Sequence, residues 1–289
     1  MEMKYPHSGL RLPSLLTEEE KWLFDLNGFL IKKNAVNKEK INEYKSFLNE
    51  MEFERVGYQN LLNLKGSLNE LQKKEISIIG LGGIGCPLAQ YLISSGIKKL
   101  NIFDGDTIQK TNLNRQTLYS IHDIGKKKST IAKKKLLGTN PNAVINSYNH
   151  KIAKDNLHLL KNSSIIIDAS DNWETMRLIN KYTTKKNLPL LSISVVGFDI
   201  QMILFENTTH NHLCLECIFP NHNEPELARC DTVGIMGTTA GLAGIISAQK
   251  AINFLLKFNE KNNILTLVDV KLLSISHIKT KKNIDCKLQ

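Results

Sequence analysis

No run of apolar residues in this chain approaches the ~18 to 20 that a helix needs to cross a bilayer, which excludes a membrane-spanning helix. The N-terminus, Met1-Glu-Met-Lys-Tyr-Pro, also lacks the apolar core of a secretion signal. A cytoplasmic protein is therefore expected, in a compartment that keeps thiols reduced. Cysteine is scarce and odd in number, five in all, which argues against a disulfide framework and for metal binding or thiol chemistry. Arginine is confined to Arg11, Arg55, Arg115, Arg177 and Arg229, so the net charge of +10 is mostly lysine. Lysine spread along a segment such as Lys126 to Lys135 reads as a solvated helix face. Aromatic residues are only 7% of the chain and are not interleaved with basic ones as stacking on bases requires, so no nucleic acid partner is expected. There is no internal repeat and no low-complexity tract.

What is present begins with length: 289 residues, 42% of them hydrophobic, suffice for a full α/β core with a small appended module. The most informative motif is Gly80-Leu-Gly82-Gly83-Ile-Gly85, between the apolar run Ile76-Ser-Ile78-Ile79 and a helix-like stretch from Cys86 to Ser95. A buried strand that turns through glycines into a helix offers unpaired backbone N–H groups at the positive end of a helix dipole, a setting that holds a phosphate. Glycine-rich turns also serve packing, so the motif alone leaves both readings open. A second strand, Leu100 to Phe103, ends in Asp104, about twenty positions beyond the glycines, where a nucleotide ribose is usually gripped. Further strands are expected at Val144 to Tyr148, Ile165 to Asp168 and Leu188 to Val195, with an added antiparallel strand from Ile200 to Phe205. Helices are expected over Trp173 to Lys186 and, buried, over Gly241 to Phe258. This alternation predicts an α/β, Rossmann-like fold with a doubly wound, mostly parallel sheet.

The segment after the second strand reads Asp104-Gly-Asp106, then Asn112-Leu-Asn114-Arg115-Gln116, with Gly125-Lys-Lys-Lys128 and Asp168-Ala-Ser-Asp171-Asn172 following in order. This arrangement resembles the superfamily of ThiF, MoeB and the ubiquitin-activating enzymes, over roughly Arg55 to the C-terminus. The resemblance implies an enzyme that uses ATP and magnesium to activate a carboxyl group, by adenylation or phosphorylation. It implies that Gly80, Gly82, Gly83 and Gly85 cradle phosphate, that Asp104 holds the ribose with Asp106 beside it, and that Asn112 helps fix the phosphates. Arg115 and Lys128 would face the departing pyrophosphate, where negative charge develops. Asp171 would bind magnesium, while Asp168 is expected to play a structural part at the strand end. Arg55 lies about where the family carries an arginine that completes the partner subunit's ATP site, which implies a homodimer with sites completed in trans. Its context, Phe53-Glu-Arg55-Val-Gly-Tyr, departs from the family's Arg-Gln pattern.

Cys214-Leu-Glu-Cys217 can hold one zinc from a tight turn. The resemblance leads one to expect a second Cys-x-x-Cys near the C-terminus, but the chain offers Cys286-Lys-Leu-Gln289. A structural zinc on three cysteines would need His210, His212, Asp285 or water as its fourth ligand, and spacing does not choose among them. Cys230 occupies the position of a reactive cysteine in ThiF-like enzymes, and reads either as a nucleophile for the activated group or as a loop cysteine. Cys86 reads as core packing.

About fifty residues precede the MoeB-like part. Within them Glu20 to Ile31 reads as a helix, a glycine turn and a short apolar strand, followed by a helix from Asn37 to Met51. This resembles the peptide clamp of the family's peptide-modifying branch, to which the microcin C enzyme MccB and the pantocin A enzyme PaaA belong. The expected organisation is thus a peptide-clamp-like module at 1–52 and an adenylation domain at 53–289. The substrate this implies is a short ribosomal precursor peptide, bound as an added strand in the making of a modified peptide antibiotic. The alternative is the Gly-Gly end of a sulfur-carrier protein. A catalytically inactive scaffold is disfavoured by Arg115, Lys128 and Asp171.

Overall fold

The computed structural model describes residues 64–207, 213–220, 235–258 and 264–283, together with Cys286 and Leu288. The expected module at 1–52, Arg55, His210, His212, Cys230 and Asp285 lie outside the described residues. Helix α1 (Leu64–Lys73) leads into β1 (Glu75–Ile79), α2 (Gly85–Ser94), β2 (Lys99–Phe103), α3 (Lys128–Thr139), β3 (Val144–Tyr148) and β4 (Ile165–Asp168). Then follow α4 (Trp173–Lys186), β5 (Leu190–Val196), β6 (Asp199–Phe205), the short α5 (Leu215–Ile218), α6 (Gly237–Leu255), β7 (Ile264–Asp269) and β8 (Ser274–Lys279).

The strands form one sheet in the order β3-β2-β1-β4-β5-β6-β7-β8. Pairings from β3 across to β5 are parallel, and those from β5 to β8 antiparallel. The chain moves outward from β1 to β3, then returns to place β4 on the other side of β1. That reversal opens a crevice at the carboxyl ends of β1 and β4, where ligands of doubly wound sheets bind.

Continuous apolar runs form the central strands because both their faces are covered. Ile76 and Ile78 point into one core with Leu88, Leu92, Ile102, Ile165 and Ala248, while Ile79, Phe103 and Ile166 point into another with Met176, Ile179 and Leu215. Burying each such side chain is worth about 1.5–3 kcal/mol. An exposed pair such as Lys73–Glu70, at 2.7 Å, is screened by water and contributes little, so the two cores hold the fold. Helix α4 matches its expected span and ends where Asn187 adopts a left-handed conformation (φ 53°), with the Leu188 N–H returning to the Thr183 carbonyl.

Two features differ from expectation. Helix α6 spans Gly237–Leu255 rather than Gly241 to Phe258, and Gly237 at its start sits against the Asn114 carbonyl, where any side chain would collide. The hairpin β7–β8 is signalled weakly in the sequence because β8 is exposed along its whole length, and Leu272 and Leu273, in the turn that precedes it, are 76% and 78% exposed. An unburied strand has no inside-outside pattern to read.

Candidate active site

Strand β1 delivers the chain to the crevice at Ile79, and Gly80 then turns it with φ +91°. A Cβ on Gly80 would lie 2.6 Å from the Ala169 carbonyl oxygen in the turn after β4. Gly85 packs its backbone onto the Gly80 carbonyl, and a Cβ on Gly83 would meet Ala240 of α6 at 2.9 Å and the Arg115 Cγ at 3.3 Å. Three of the four glycines thus permit close approach of backbone and side chains, whereas Gly82 has only the Gln116 Nε2, at 3.7 Å, near it. The backbone N–H groups of Gly82 and Gly83 meet no acceptor among the described residues. Ile84, which precedes α2, has no side-chain oxygen to cap the helix. These donors at a positive helix end suit the oxygens of a phosphate.

Asp104 closes the turn from the side of β2. Its Oδ2 accepts the Leu81 N–H at 2.8 Å and its Oδ1 accepts the Asp106 N–H at 2.9 Å. Burial raises this carboxyl above its ordinary value, while Lys128 and the two N–H donors act in the opposite direction. Asp106 in turn places Lys128, the first residue of α3. The lysine N–H bonds to the Asp106 carbonyl at 3.1 Å, and its Nζ lies 3.2 Å from Asp106 Oδ2.

Arg115 extends from the loop between β2 and α3. Its Nη1 donates to the Thr111 carbonyl at 3.2 Å and to the Asn114 Oδ1 at 3.1 Å, so its hydrogen bonds go to neutral oxygens of its own loop. Among the described residues no carboxylate pairs with it, which suits it to an anionic ligand. Asn112 shapes this loop: its Oδ1 accepts the Gln109 N–H at 3.3 Å, and its carbonyl accepts the N–H groups of Arg115 and Gln116. On the far side of the crevice, Asp168 is fully buried at the end of β4, with Oδ1 accepting the Ser170 N–H at 3.0 Å. Burial pushes its carboxyl up to about 6. Asp171 is exposed on the same turn, and Asn172 caps α4 by accepting the Thr175 N–H at 2.8 Å.

Buried side-chain oxygens without a partner among the described residues gather on the elements bordering this crevice: Gln116 Oε1, Thr239 Oγ1, Asp168 Oδ2 and Ser170 Oγ. Such atoms are costly unless something pairs with them. Together with the open N–H groups, they fit a polar ligand such as a nucleotide. Gln116 and Thr239 were given no role by sequence reasoning. Gln116 could have been found from its place beside Arg115 in the motif; Thr239 carries no signal, since only α6 packing against the glycine turn brings it there.

The cysteines form a separate cluster. Cys214 Sγ lies 3.7 Å from Cys217 Sγ and 3.5 Å from Cys286 Sγ, and the three sulfurs lie within 4.8 Å of one another. Tetrahedral zinc with bonds of about 2.3 Å sets its sulfurs roughly 3.8 Å apart, so these thiols fit that ion. Burial pushes the Cys214 thiol up to about 12, a tendency that a bound dication would reverse. Cys86 is buried in the core, where its thiol donates to the Leu81 carbonyl at 3.3 Å. A groove of about 530 Å³ lined by Lys154, His158, Lys161, Tyr182 and Lys186 adjoins the starts of β4 and β5, and shares no residue with the crevice.

The ThiF family model matches residues 29–288. The sulfur carrier protein ThiS adenylyltransferase of Escherichia coli K12 is 31% identical over 228 residues, 78% of this chain and 90% of that protein. Among solved structures, E. coli MccB with MccA-N7isoASN is similar at a TM-score of 0.69 and 21% identity, covering 88% of this chain and 82% of that one. PaaA is similar at a TM-score of 0.65 and 18% identity, covering 93% of this chain and 84% of that one. At these identities the two structures speak to the fold.

Proposed function

Because the chain belongs to the ThiF family, and is thereby an ATP-dependent carboxylate-activating enzyme, we propose that it adenylates a carboxyl group of a short ribosomally made precursor peptide, in the biosynthesis of a modified peptide antibiotic. The observation that carries the peptide reading is coverage. MccB and PaaA superpose on 88% and 93% of this chain, so their fold extends over nearly all of it. Residues 1–52 are read, from their sequence pattern, as the peptide clamp of this reading.

In this reading an oxygen of the peptide carboxylate attacks the α-phosphorus of ATP, the bond to the bridging oxygen breaks, and pyrophosphate leaves with the electron pair. The glycine turn and the open N–H groups of Gly82 and Gly83 hold phosphate oxygens. Asp104, with both oxygens already anchored to backbone, uses its remaining lone pairs on the ribose hydroxyls. Arg115 and Lys128 stabilise charge that grows on the departing oxygens, an effect worth on the order of 10²–10³ in rate per donor. Asp171 holds magnesium. The three cysteines hold a structural zinc, and Arg55 completes the site of a second copy in a homodimer.

The second reading is adenylation of the Gly-Gly end of a sulfur-carrier protein, favoured by 31% identity over 90% of the ThiS adenylyltransferase. The deciding experiment follows ATP consumption with a precursor peptide and, separately, with a Gly-Gly-terminated carrier. AMP and pyrophosphate formed with the peptide alone support the first reading. Formation with the carrier alone replaces it with the second and makes Cys230 the next residue to test.

A further inference from the structure

Helix α4 links the cysteine cluster to the crevice. It starts two residues after Asp171, and one of its faces is gripped by the segment that carries Cys214 and Cys217. At the first helical position the Trp173 ring meets the Phe219 ring edge-on, with centroids 5.8 Å apart. One turn on, Arg177 donates to Glu216 Oε1 from Nη2 at 2.8 Å and from Nε at 3.3 Å. A further turn along, the fully buried Asn180 Oδ1 accepts the Leu215 N–H at 2.9 Å. Positions 173, 177 and 180 follow i, i+4, i+7 spacing, which makes a single stripe of the helix. The Arg177 and Glu216 side chains are only 26% and 17% exposed, so their pair is shielded compared with one at the surface.

The gripping element is weak by itself. Helix α5 has four residues, far below the ~12–15 at which an isolated helix becomes even marginal. Its shape depends on what ties its ends, and the three sulfurs do so, with Cys286 arriving from a segment 72 residues away from Cys214. A dication shared by three thiolates would turn this contact into a rigid cross-link.

We propose that the cysteine cluster, loaded with a thiophilic dication such as zinc, is the support that positions Asp171 through α4, with Glu216, Arg177 and Asn180 as positioning residues. Loading the cluster therefore sets the affinity of the magnesium position at the crevice. This rests on the reading of Asp171 as the magnesium carboxylate.

The test uses the full chain. Manganese binding is titrated by electron paramagnetic resonance in the presence of a non-hydrolysable ATP analogue, for the zinc-loaded protein, the chelator-stripped protein and Glu216→Ala. Stripping and Glu216→Ala should each weaken manganese binding about tenfold, within the range of intramolecular coupling, while metal-free affinity for the analogue stays the same. Glu216→Ala should keep its zinc, which separates the grip from the cluster. Manganese affinities within about twofold of the loaded protein overturn the coupling. A loaded wild-type protein that binds no manganese overturns the Asp171 reading instead. Should Glu216→Ala fail to fold, hydrogen exchange of the wild type decides: stripping must speed exchange over 173–180, and unchanged protection there refutes the proposal.

Discussion

The Lys128 ammonium is held 3.2 Å from Asp106 Oδ2 with its side chain only 8% exposed, while the Asp106 side chain is 53% exposed. The cation is thus buried at the start of a helix, where the dipole disfavours it, and its main counter-ion sits near water. A lysine placed at this cost is suited to receive an anion. Lys128→Met should therefore lower pyrophosphate release by about 10²–10³. Asp106→Asn should have a smaller effect, seen mainly in the KM for ATP, because the solvated carboxylate contributes ~0–1 kcal/mol to the pair. Steady-state kinetics of both variants check this, and an unimpaired Lys128→Met would remove the lysine from the mechanism.

Arg115→Ala and Asp171→Ala should abolish ATP turnover yet leave the protein folded. Among the described residues the Arg115 guanidinium bonds only to neutral oxygens of its own loop, and Asp171 is exposed, so neither holds the core. Pyrophosphate release alongside a thermal melt measures both halves of the prediction. Turnover like that of the wild type in either variant contradicts the proposed adenylation chemistry.

Asp168 predicts a pH dependence of stability. Its folded-state value is raised to about 6 from an ordinary 3.8, because burial penalises the charged form. The native state thus binds more protons than the unfolded chain between these values, so this group's contribution falls as pH rises through that window. The penalty is complete above about pH 6 and amounts to roughly 3 kcal/mol at most. Asp168→Asn can keep the bond from the Ser170 N–H and carries no charge, so it should be more stable than wild type at pH 8 and indistinguishable near pH 4. Denaturant melts at the two pH values test this, and equal stability at pH 8 would show that the buried carboxylate is paired.

Deleting residues 1–50 should weaken precursor-peptide binding while sparing nucleotide binding, and unchanged peptide affinity would sink the clamp. Cys230→Ala should retain pyrophosphate release under either substrate reading, because a thiol acts after activation.

Much of the fold is legible in the sequence because its strands are covered on both faces. Ile165 to Ile167 is apolar without interruption and Ile76 to Ile79 is broken only by Ser77, and glycines or polar turns punctuate both. The exposed β8 escapes such reading, as does the close approach of Gly237 to the Asn114 carbonyl, which lies far away in sequence.

The candidate site divides the same way. The glycine turn, Asp104 and the Cys214–Cys217 pair could be read from spacing along the chain, since their residues are neighbours there, whereas Arg115, Lys128 and Asp171 were singled out by the resemblance of their motifs to the family. Only the tertiary structure decided that Asp106 accompanies Lys128 and that Thr239 borders the crevice. These relations arise where segments distant in sequence are packed by the shared burial of their apolar faces. Such burial is non-directional, so the pattern of any one segment does not name its partner.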